Sequence, residues 1–276
     1  MSTFVTRFAP SPTGLLHRGH AFSALTAHEA ARRAGGRFLL RIEDIDATRC
    51  RPEFETALLE DLAWLGMAWE TPVRRQSDHL ADYEAALGRL RDQGLAYRCF
   101  KTRREIAQDA QSAPHGMPLP YTGSPLPAGE EADRLAAGQP FAWRLSLAAA
   151  RSLLGGFDLT FSEDGVVHAA DPGGAGDIVL ARKDVGVAYH LAVVVDDALQ
   201  GVTHVIRGED LREATPVQRL LQVLLGLPEP GYHHHPLLVG PDGRRYAKRD
   251  RAETLAGIRA AGVSPAQLRA ELGFQS

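Results

Sequence analysis

Residues 4–34 read FVTRFAPSPTGLLHRGHAFSALTAHEAARRA, and the order of their local signals sets the architecture. Phe4 to Ala9 is a short apolar run that Pro10 ends, because proline has no N–H to give to a strand ladder. A loop carrying Pro10, Pro12 and Gly14 follows, then an alanine-rich amphipathic run to about Ala34, stopped by Gly35 and Gly36. The same order repeats downstream. RFLLRIEDID (37–46) is an apolar run ending in acids, and RPEFETALLEDLAWLG (51–66) has a helix's Pro52 near its start and Gly66 at its end. Strand, helix, strand, helix predicts an α/β fold with a parallel sheet covered by helices. Ligands are then expected outside the carboxyl ends of the strands, where Pro10 and Glu43 fall.

The chain has 276 residues, 44% of them apolar, enough for one large domain or two moderate ones with real cores. Its 31 basic and 34 acidic residues give a formal charge of -3, so no global basic field announces a nucleic-acid partner and any RNA contact must use local patches. Cys50 and Cys99 are too few for a disulfide framework. The N-terminal MSTFVTRFAP lacks a signal-peptide pattern and no run approaches a membrane span, so a cytoplasmic protein without membrane contact is expected.

From Tyr97 to Gly176 the texture changes: Pro114, Pro118, Pro120, Pro125 and Pro127 crowd a loop-rich region before FAWRLSL (141–147) and GVVHAAD (165–171). This reads as an insertion between two halves of the sheet. Parallel order resumes at AYHLAVVVDDALQGVTHVIRGEDL (188–211), a buried strand or helix edge followed by a clear strand ending in charge, and a helix is expected from Pro216 to Leu225.

The loop before the first helix has three readings. His17 and His20, three apart, can share a helix face as metal ligands, but nothing nearby completes a ligand set. A Pro/Gly turn entering a helix also exposes backbone N–H groups at the positive helix end, where phosphates bind. Gly19 would let a nucleotide lie close and the imidazoles would donate to phosphate oxygens. The third reading is a surface loop with incidental histidines.

RFAPSPTG (7–14) with HRGH (17–20) resembles the first signature of the class I aminoacyl-tRNA synthetases in the form used by their glutamate-specific branch. RIEDID (41–46) and HVIRGEDL (204–211) are similar to that branch in the expected order, from about Phe4 to Arg249. The resemblance implies a Rossmann-type doubly wound catalytic core with an inserted α+β subdomain. It implies that ATP is a substrate used with Mg2+, with His17, Gly19, His20 and Lys248 at the nucleotide and His17, His20 and Lys248 catalytic. It further implies that Arg7, Phe8, Ala9, Pro10, Ser11, Glu43, Tyr189 and Arg207 hold L-glutamate. The chemistry is consistent: a carboxylate such as Glu43 accepts from an ammonium, and arginine forks such as Arg7 and Arg207 bind carboxylates. The alternative for Arg7, Glu43 and Arg207 is a buried ion-pair network at strand ends.

Three departures from the family pattern matter. The later lysine loop reads RYAKR (245–249), with Lys248 in the key position, Arg245 replacing a lysine and Ala247 replacing a serine. The zinc-binding pattern of related insertions survives only as Cys99 and Tyr121; Lys101 and Pro125 stand where cysteines belong, so no zinc is expected and packing must hold the insertion together. His233, His234 and His235 alternate faces in a strand and cannot converge on one metal; His234 is expected near the nucleotide and the other two exposed.

The expected division is 1–96 and 177–240 for the two halves of the catalytic core, 97–176 for the insertion, and 241–276 for the lysine loop and a short helical end without an anticodon-binding domain. A core of this size resembles short relatives of the glutamate-specific synthetases that activate glutamate without tRNA and attach it to the queuosine base at the wobble position of tRNA(Asp). The partners so implied are glutamate, ATP and queuosine-bearing tRNA(Asp), with the protein a monomer. Charging of a tRNA 3' end by a truncated synthetase, or tRNA binding without catalysis, are the alternatives. Arg103, Arg104, Arg182 and Lys183 are the basic residues considered for phosphate contact.

Overall fold

The computed structural model describes residues 3–102, 104–107, 120–156, 158–182, 186–238 and 253–274. Lys248 with Arg245, Ala247 and Arg249, and likewise Arg103 and Lys183, lie outside the described residues.

The opening stretch folds as β1 (Val5–Phe8), a loop, and α1 (Arg18–Arg33). All four residues of β1 are buried, Thr6 and Arg7 included, as in a strand covered on both faces. Strand β2 (Arg37–Ile42) pairs parallel with β1, Val5 opposite Arg37 and Phe8 opposite Leu40. The turn into β2 is tight: a Cβ on Gly36 would lie 2.3 Å from the Phe4 carbonyl oxygen, so only glycine fits. Helix α2 (Pro52–Trp64) starts on Pro52, and β3 (Arg74–Arg75) pairs parallel with β2 before α3 (Leu80–Asp92).

The inserted sheet is antiparallel, ordered β4 (Ala96–Cys99), β5 (Ala142–Leu145), β8 (Val179–Arg182) and β9 (Gly186–Val187), with α4 (Ala128–Ala136) and α5 (Leu147–Leu154) beside it. Sheet membership does not follow the boundaries expected from sequence. Strands β8 and β9 complete the inserted sheet although they lie beyond residue 176. The hairpin β6 (Thr160–Glu163) and β7 (Val166–Ala169), from within 97–176, instead joins the second half of the core.

That second half comprises α6 (Tyr189–Leu199), β10 (His204–Gly208), α7 (Thr215–Leu225) and β11 (Gly231–His235). The run at 189–199 is a helix. Its residues from Leu191 to Asp197 are all buried, which removes the one-sided periodicity that would distinguish helix from strand. Strands β10, β11 and β6 are parallel. Thr203 joins the halves, its N–H donating to the Val5 carbonyl at 2.9 Å and its Oγ1 accepting from Val5 N–H at 2.8 Å. Strand order therefore reverses between β1 and β10, and the carboxyl ends of both face the crevice where an open α/β sheet binds ligands.

Two apolar cores form among the described residues. One gathers Leu90, Leu145, Leu180, Leu191 and Leu221 from α3, the inserted sheet, α6 and α7. The other joins Leu25, Leu40, Leu58 and Leu62 to Leu255, Ile258 and Leu268 of α8 (Leu255–Ala260) and α9 (Pro265–Glu271). Burying each such leucine contributes about 1.5–3 kcal/mol, so the C-terminal helices are an integral wall of the core. Among the described residues no helix is long and apolar enough to cross a membrane.

Candidate functional site

At the start of α1 two histidines cap each other. His17 Nδ1 accepts from the Gly19 N–H at 3.1 Å, and His20 Nδ1 accepts from the His17 N–H at 3.2 Å. With both Nδ1 atoms accepting, a neutral ring must carry its proton on Nε2, which makes each imidazole a donor on that edge. No acidic residue occupies the first turn, so the positive helix end keeps its attraction for anions. Gly19 has a steric reason as well: a Cβ there would meet the His17 ring at 3.1 Å.

At the carboxyl ends of β1 and β2 lies a buried charge lattice. Arg7 gives two N–H groups to Asp197, Nε to Oδ1 at 3.0 Å and Nη2 to Oδ2 at 3.3 Å. Arg41, fully buried, donates to Asp197 at 2.6 Å and to Glu43 Oε1 at 2.9 Å, and lies 3.6 Å from Asp196. Asp196 also accepts from Arg74, Gln76 and Tyr83 at 2.7–2.9 Å. Three arginines thus meet Glu43, Asp196 and Asp197. Burial raises the Glu43 carboxyl above its ordinary value, with Arg41 and Arg7 opposing. For Asp197, burial pushes the same way but Arg7 and Arg41 prevail and hold it below the ordinary carboxylate range. Arg41, Arg74, Asp196 and Asp197 were not singled out from sequence. The signal was there: adjacent acids in the otherwise apolar AVVVDDAL, and an arginine inside FLLRI, must pair if buried.

Arg207, at the end of β10, is different. It is 4% exposed, and its guanidinium is held by His234 Nε2 at 3.2 Å, Gln218 Oε1 at 2.7 Å and Thr215 Oγ1 at 2.8 Å, all uncharged acceptors. His234 stays neutral: burial lowers it, and its Nδ1 meets Glu163 at 2.5 Å while Nε2 accepts from Arg207. Among the described residues Arg207 meets no carboxylate. The Tyr189 phenol lies within the same field; burial and Glu43 raise it, while Arg207 and Arg7 oppose.

Ser11, Glu43 and Tyr189 line a cleft of about 870 Å³ that continues to Phe100, Phe141 and Arg182 of the insertion. Glu43 Oε1 is taken by Arg41, and Oε2 has no donor among the described residues. Phe8 and Pro10 are buried and Ala9 is half-buried, so this loop contributes shape and backbone; the Pro10 carbonyl accepts from the Glu43 N–H at 3.0 Å, tying it to β2.

The other sequence features settle differently. The histidines of β11 do not converge, as alternation requires: His233 meets Asp164, His234 meets Glu163 and Arg207, and His235 accepts or donates at Ser23 Oγ, 3.0 Å away. One correction follows: His235, expected to be exposed, is buried with its ring against Phe22 and Ser23 of α1, while His234 sits beside Arg207. Cys99 Sγ lies 3.3 Å from Tyr121 Oη, while Lys101 Nζ stands over the Tyr121 ring. Burial and the Cys99 thiol push that phenol up to about 12. One thiol, one phenol, an ammonium and a proline do not supply the donor set of a tetrahedral zinc site. The insertion is instead tied by buried Asp177, whose carboxylate accepts from Tyr97 Oη, Gly123 N–H and Leu147 N–H at 2.8–2.9 Å. Arg104 is exposed, and Cys50 is half-buried beside the Glu43 carbonyl.

Residues 3–273 match the family model of class I tRNA synthetases (E and Q), catalytic domain. The glutamyl-Q tRNA(Asp) synthetase of Rhodobacter capsulatus is 50% identical over 98% of this chain and 100% of its own length. The chain belongs to the glutamyl-Q tRNA(Asp) synthetase family. Two other relatives are longer. The glutamate–tRNA ligase of Aquifex aeolicus is 39% identical, and the chain covers 56% of it. A crystal structure of the glutamate tRNA ligase of Elizabethkingia meningosepticum in complex with its amino acid superposes with a TM-score of 0.80 at 27% identity, covering 96% of this chain and 59% of that one. Family and fold together make the chain an aminoacyl-tRNA synthetase-like ligase with a class I core.

Proposed function

We propose that the protein activates L-glutamate with ATP, without tRNA, and transfers it to the queuosine base at the wobble position of tRNA(Asp). The observation that carries this reading is Arg207: a buried guanidinium with no carboxylate partner among the described residues, at the reversal of strand order and in the field of Tyr189, which also feels Glu43. Burying an unmatched charge is costly, so a site of this kind is completed by an anionic ligand. Arg207 takes one carboxylate of glutamate, and Glu43 Oε2 takes its ammonium. Arg7, whose charge Asp197 already matches, fixes the strand end beside them, and the loop from Phe8 to Ser11 closes over the amino acid.

In the first step a glutamate α-carboxylate oxygen attacks the α-phosphorus of ATP, the bond from that phosphorus to the bridging oxygen breaks, and pyrophosphate leaves with the electron pair. His17 and His20 donate from Nε2 to phosphate oxygens at the helix start, Gly19 permits close approach, and Lys248 is assigned to the pyrophosphate. Mg2+ bound with ATP would neutralise phosphate charge. The described residues contain no group of three or more His, Cys, Asp or Glu placed to hold a metal. In the second step a hydroxyl oxygen of the queuosine ring attacks the glutamyl carbonyl carbon, the bond to AMP breaks, and the hydroxyl proton is lost. The protein contributes orientation and electrostatics; no side chain is needed as a nucleophile.

Higher identity to glutamyl-Q tRNA(Asp) synthetases than to the glutamate–tRNA ligase supports the queuosine acceptor. The test is labelled-glutamate transfer to tRNA(Asp) with and without queuosine, followed by ribonuclease cleavage that separates the labelled anticodon loop from the 3'-terminal fragment. Label that requires queuosine is the expected result. Charging that ignores queuosine and vanishes when the 3' end of the tRNA is oxidised beforehand would establish the 3'-end alternative.

A further inference from the structure

The cleft is larger than an amino acid requires, and its two ends differ in chemistry. The inner end is polar and charged, with Ser11, Glu43 and Tyr189. The outer end lies on the inserted sheet, where Phe100 follows β4 and Phe141 precedes β5. The Cys99 and Ala142 pair closes the ladder between these strands, so the two phenylalanines flank its open end with ring centroids 5.6 Å apart. Trp143 buttresses Phe141 edge-on at 5.8 Å, and the Arg98 guanidinium lies over both rings, 4.5 Å from the Trp143 centroid and 5.4 Å from that of Phe141. Lys101, exposed, and Arg182, half-buried at the end of β8 opposite Ala142, stand at the same end of the cleft.

Held aromatic faces with cations beside them are the chemistry of single-stranded nucleic acid binding: bases stack on rings of any sequence, and phosphates take the charges. A hydrophobic small molecule would not use the cations, and a peptide would not need the two flanking rings. The helix start at His17 to His20 is absent from this cleft lining, which leaves the cleft as an approach to the glutamyl carbonyl distinct from the nucleotide's. Resting on the reading of the inner end as the glutamate site, we propose that the outer end seats the acceptor nucleoside: a base turned out of an RNA loop stacks on Phe141 with the tilted Phe100 ring against its edge, Lys101 and Arg182 take neighbouring phosphates, and the base's ring substituent reaches the Glu43–Tyr189 end.

The experiment compares two reactions of each full-length variant: transfer to queuosine-bearing tRNA(Asp), and glutamate-dependent ATP–pyrophosphate exchange, which needs no RNA. For Phe141→Ala the KM for tRNA is expected to rise roughly 5- to 150-fold, the range for removing one ring from beneath a stacked base, and the ratio of transfer to exchange to fall with it. Phe141→Trp is expected to restore both. Lys101→Ala is expected to flatten the dependence of log KM on log salt by roughly 0.7 to 0.9, the slope carried by a single neutralised phosphate. An unchanged KM for tRNA in Phe141→Ala would overturn the proposal. So would transfer and exchange falling in proportion, or no recovery with Phe141→Trp, since a merely structural role predicts both. Failure of the underlying glutamate reading shows separately, as wild-type protein without glutamate-dependent exchange.

Discussion

His17 and His20 each accept a backbone N–H within a single helical turn, with ring centroids 3.8 Å apart. Capping occupies the Nδ1 edge of each ring, and the phosphate contact proposed above would use the opposite, Nε2 edge. In His17→Asn, asparagine keeps the cap but has no Nε2–H in that position, so stability is expected to stay within ~0.5 kcal/mol while kcat for ATP–pyrophosphate exchange drops roughly 10²- to 10³-fold. Equal loss of stability and exchange would reduce the residue to a helix cap.

The unmatched guanidinium gives a second expectation. Arg207→Ala should raise the KM for glutamate about 10- to 150-fold, equivalent to the ~1.5–3 kcal/mol of a hydrogen bond to a charged group. Arg207→Ala also leaves Gln218, Thr215 and His234 without their donor, so the urea midpoint should fall somewhat, and the more conservative Arg207→Lys should lose glutamate affinity with a smaller loss of stability. Isothermal titration with glutamate and urea unfolding of the same sample check both halves.

Acid should destabilise the fold through its histidines. His28, His190, His204, His234 and His235 are all held below the ordinary 6.5, burial being the leading cause in each. On acidification the unfolded chain therefore takes up protons first. Stability is complete above 6.5 and drains as pH falls from there through the folded values. Urea midpoints at pH 7.5, 6.5 and 5.5 should decline in that order, and His234→Gln should shallow the decline.

Asp61 runs the other way. It is buried in α2, neither carboxylate oxygen has a hydrogen-bond partner among the described residues, and Arg259 of α8 approaches to 3.6 Å. Burial, with Glu60 adding and Arg259 opposing, lifts it to about 6 from 3.8. The folded protein thus keeps this proton longer than the unfolded chain, so stability falls as pH rises from about 4 to 6. Asp61→Asn is expected to be more stable than wild type by ~1–2 kcal/mol at pH 7.5, with the gap closing near pH 4. A gap that persists at pH 4 would mean that packing, not charge, separates the two.

Asp177 ties three segments of the insertion by hydrogen bonds. Asp177→Asn turns one acceptor into a donor facing N–H or O–H groups, and a loss of ~1.5–3 kcal/mol with faster proteolysis of the insertion is expected. Incubation with EDTA should leave the melting temperature of the wild type unchanged; a chelator-dependent fall would reinstate zinc.

The strand–loop–helix at 4–34 and the strands ending at Glu43 and Arg207 were legible because each is a local signal: an apolar run, a proline, a glycine pair. The charge lattice was not. Arg7, Arg41 and Asp197 lie on three elements far apart in sequence, and nothing periodic announces which buried charges will meet. Burial on every side likewise hid that 189–199 is a helix, since a helix apolar all round has no face to read. The assignment of β8 and β9 to the inserted sheet depended on antiparallel register, which is set by long-range pairing with β5.

The lattice of Arg7, Arg41 and Arg74 with Glu43, Asp196 and Asp197 also bears on how this sequence can change over time. Losing any one member strands an opposite charge in the interior, a step that costs about 3–5 kcal/mol, close to the whole margin of a typical domain. Paired exchanges for apolar residues of similar volume need cost far less, so the members are strongly epistatic. Descent through single substitutions is blocked at these six positions even where a distant arrangement would be as stable. The frame at the carboxyl ends of β1 and β2 is thereby held by the pathway of substitution as well as by chemistry, whereas the inserted sheet, which contributes none of the six, is the freer part to change.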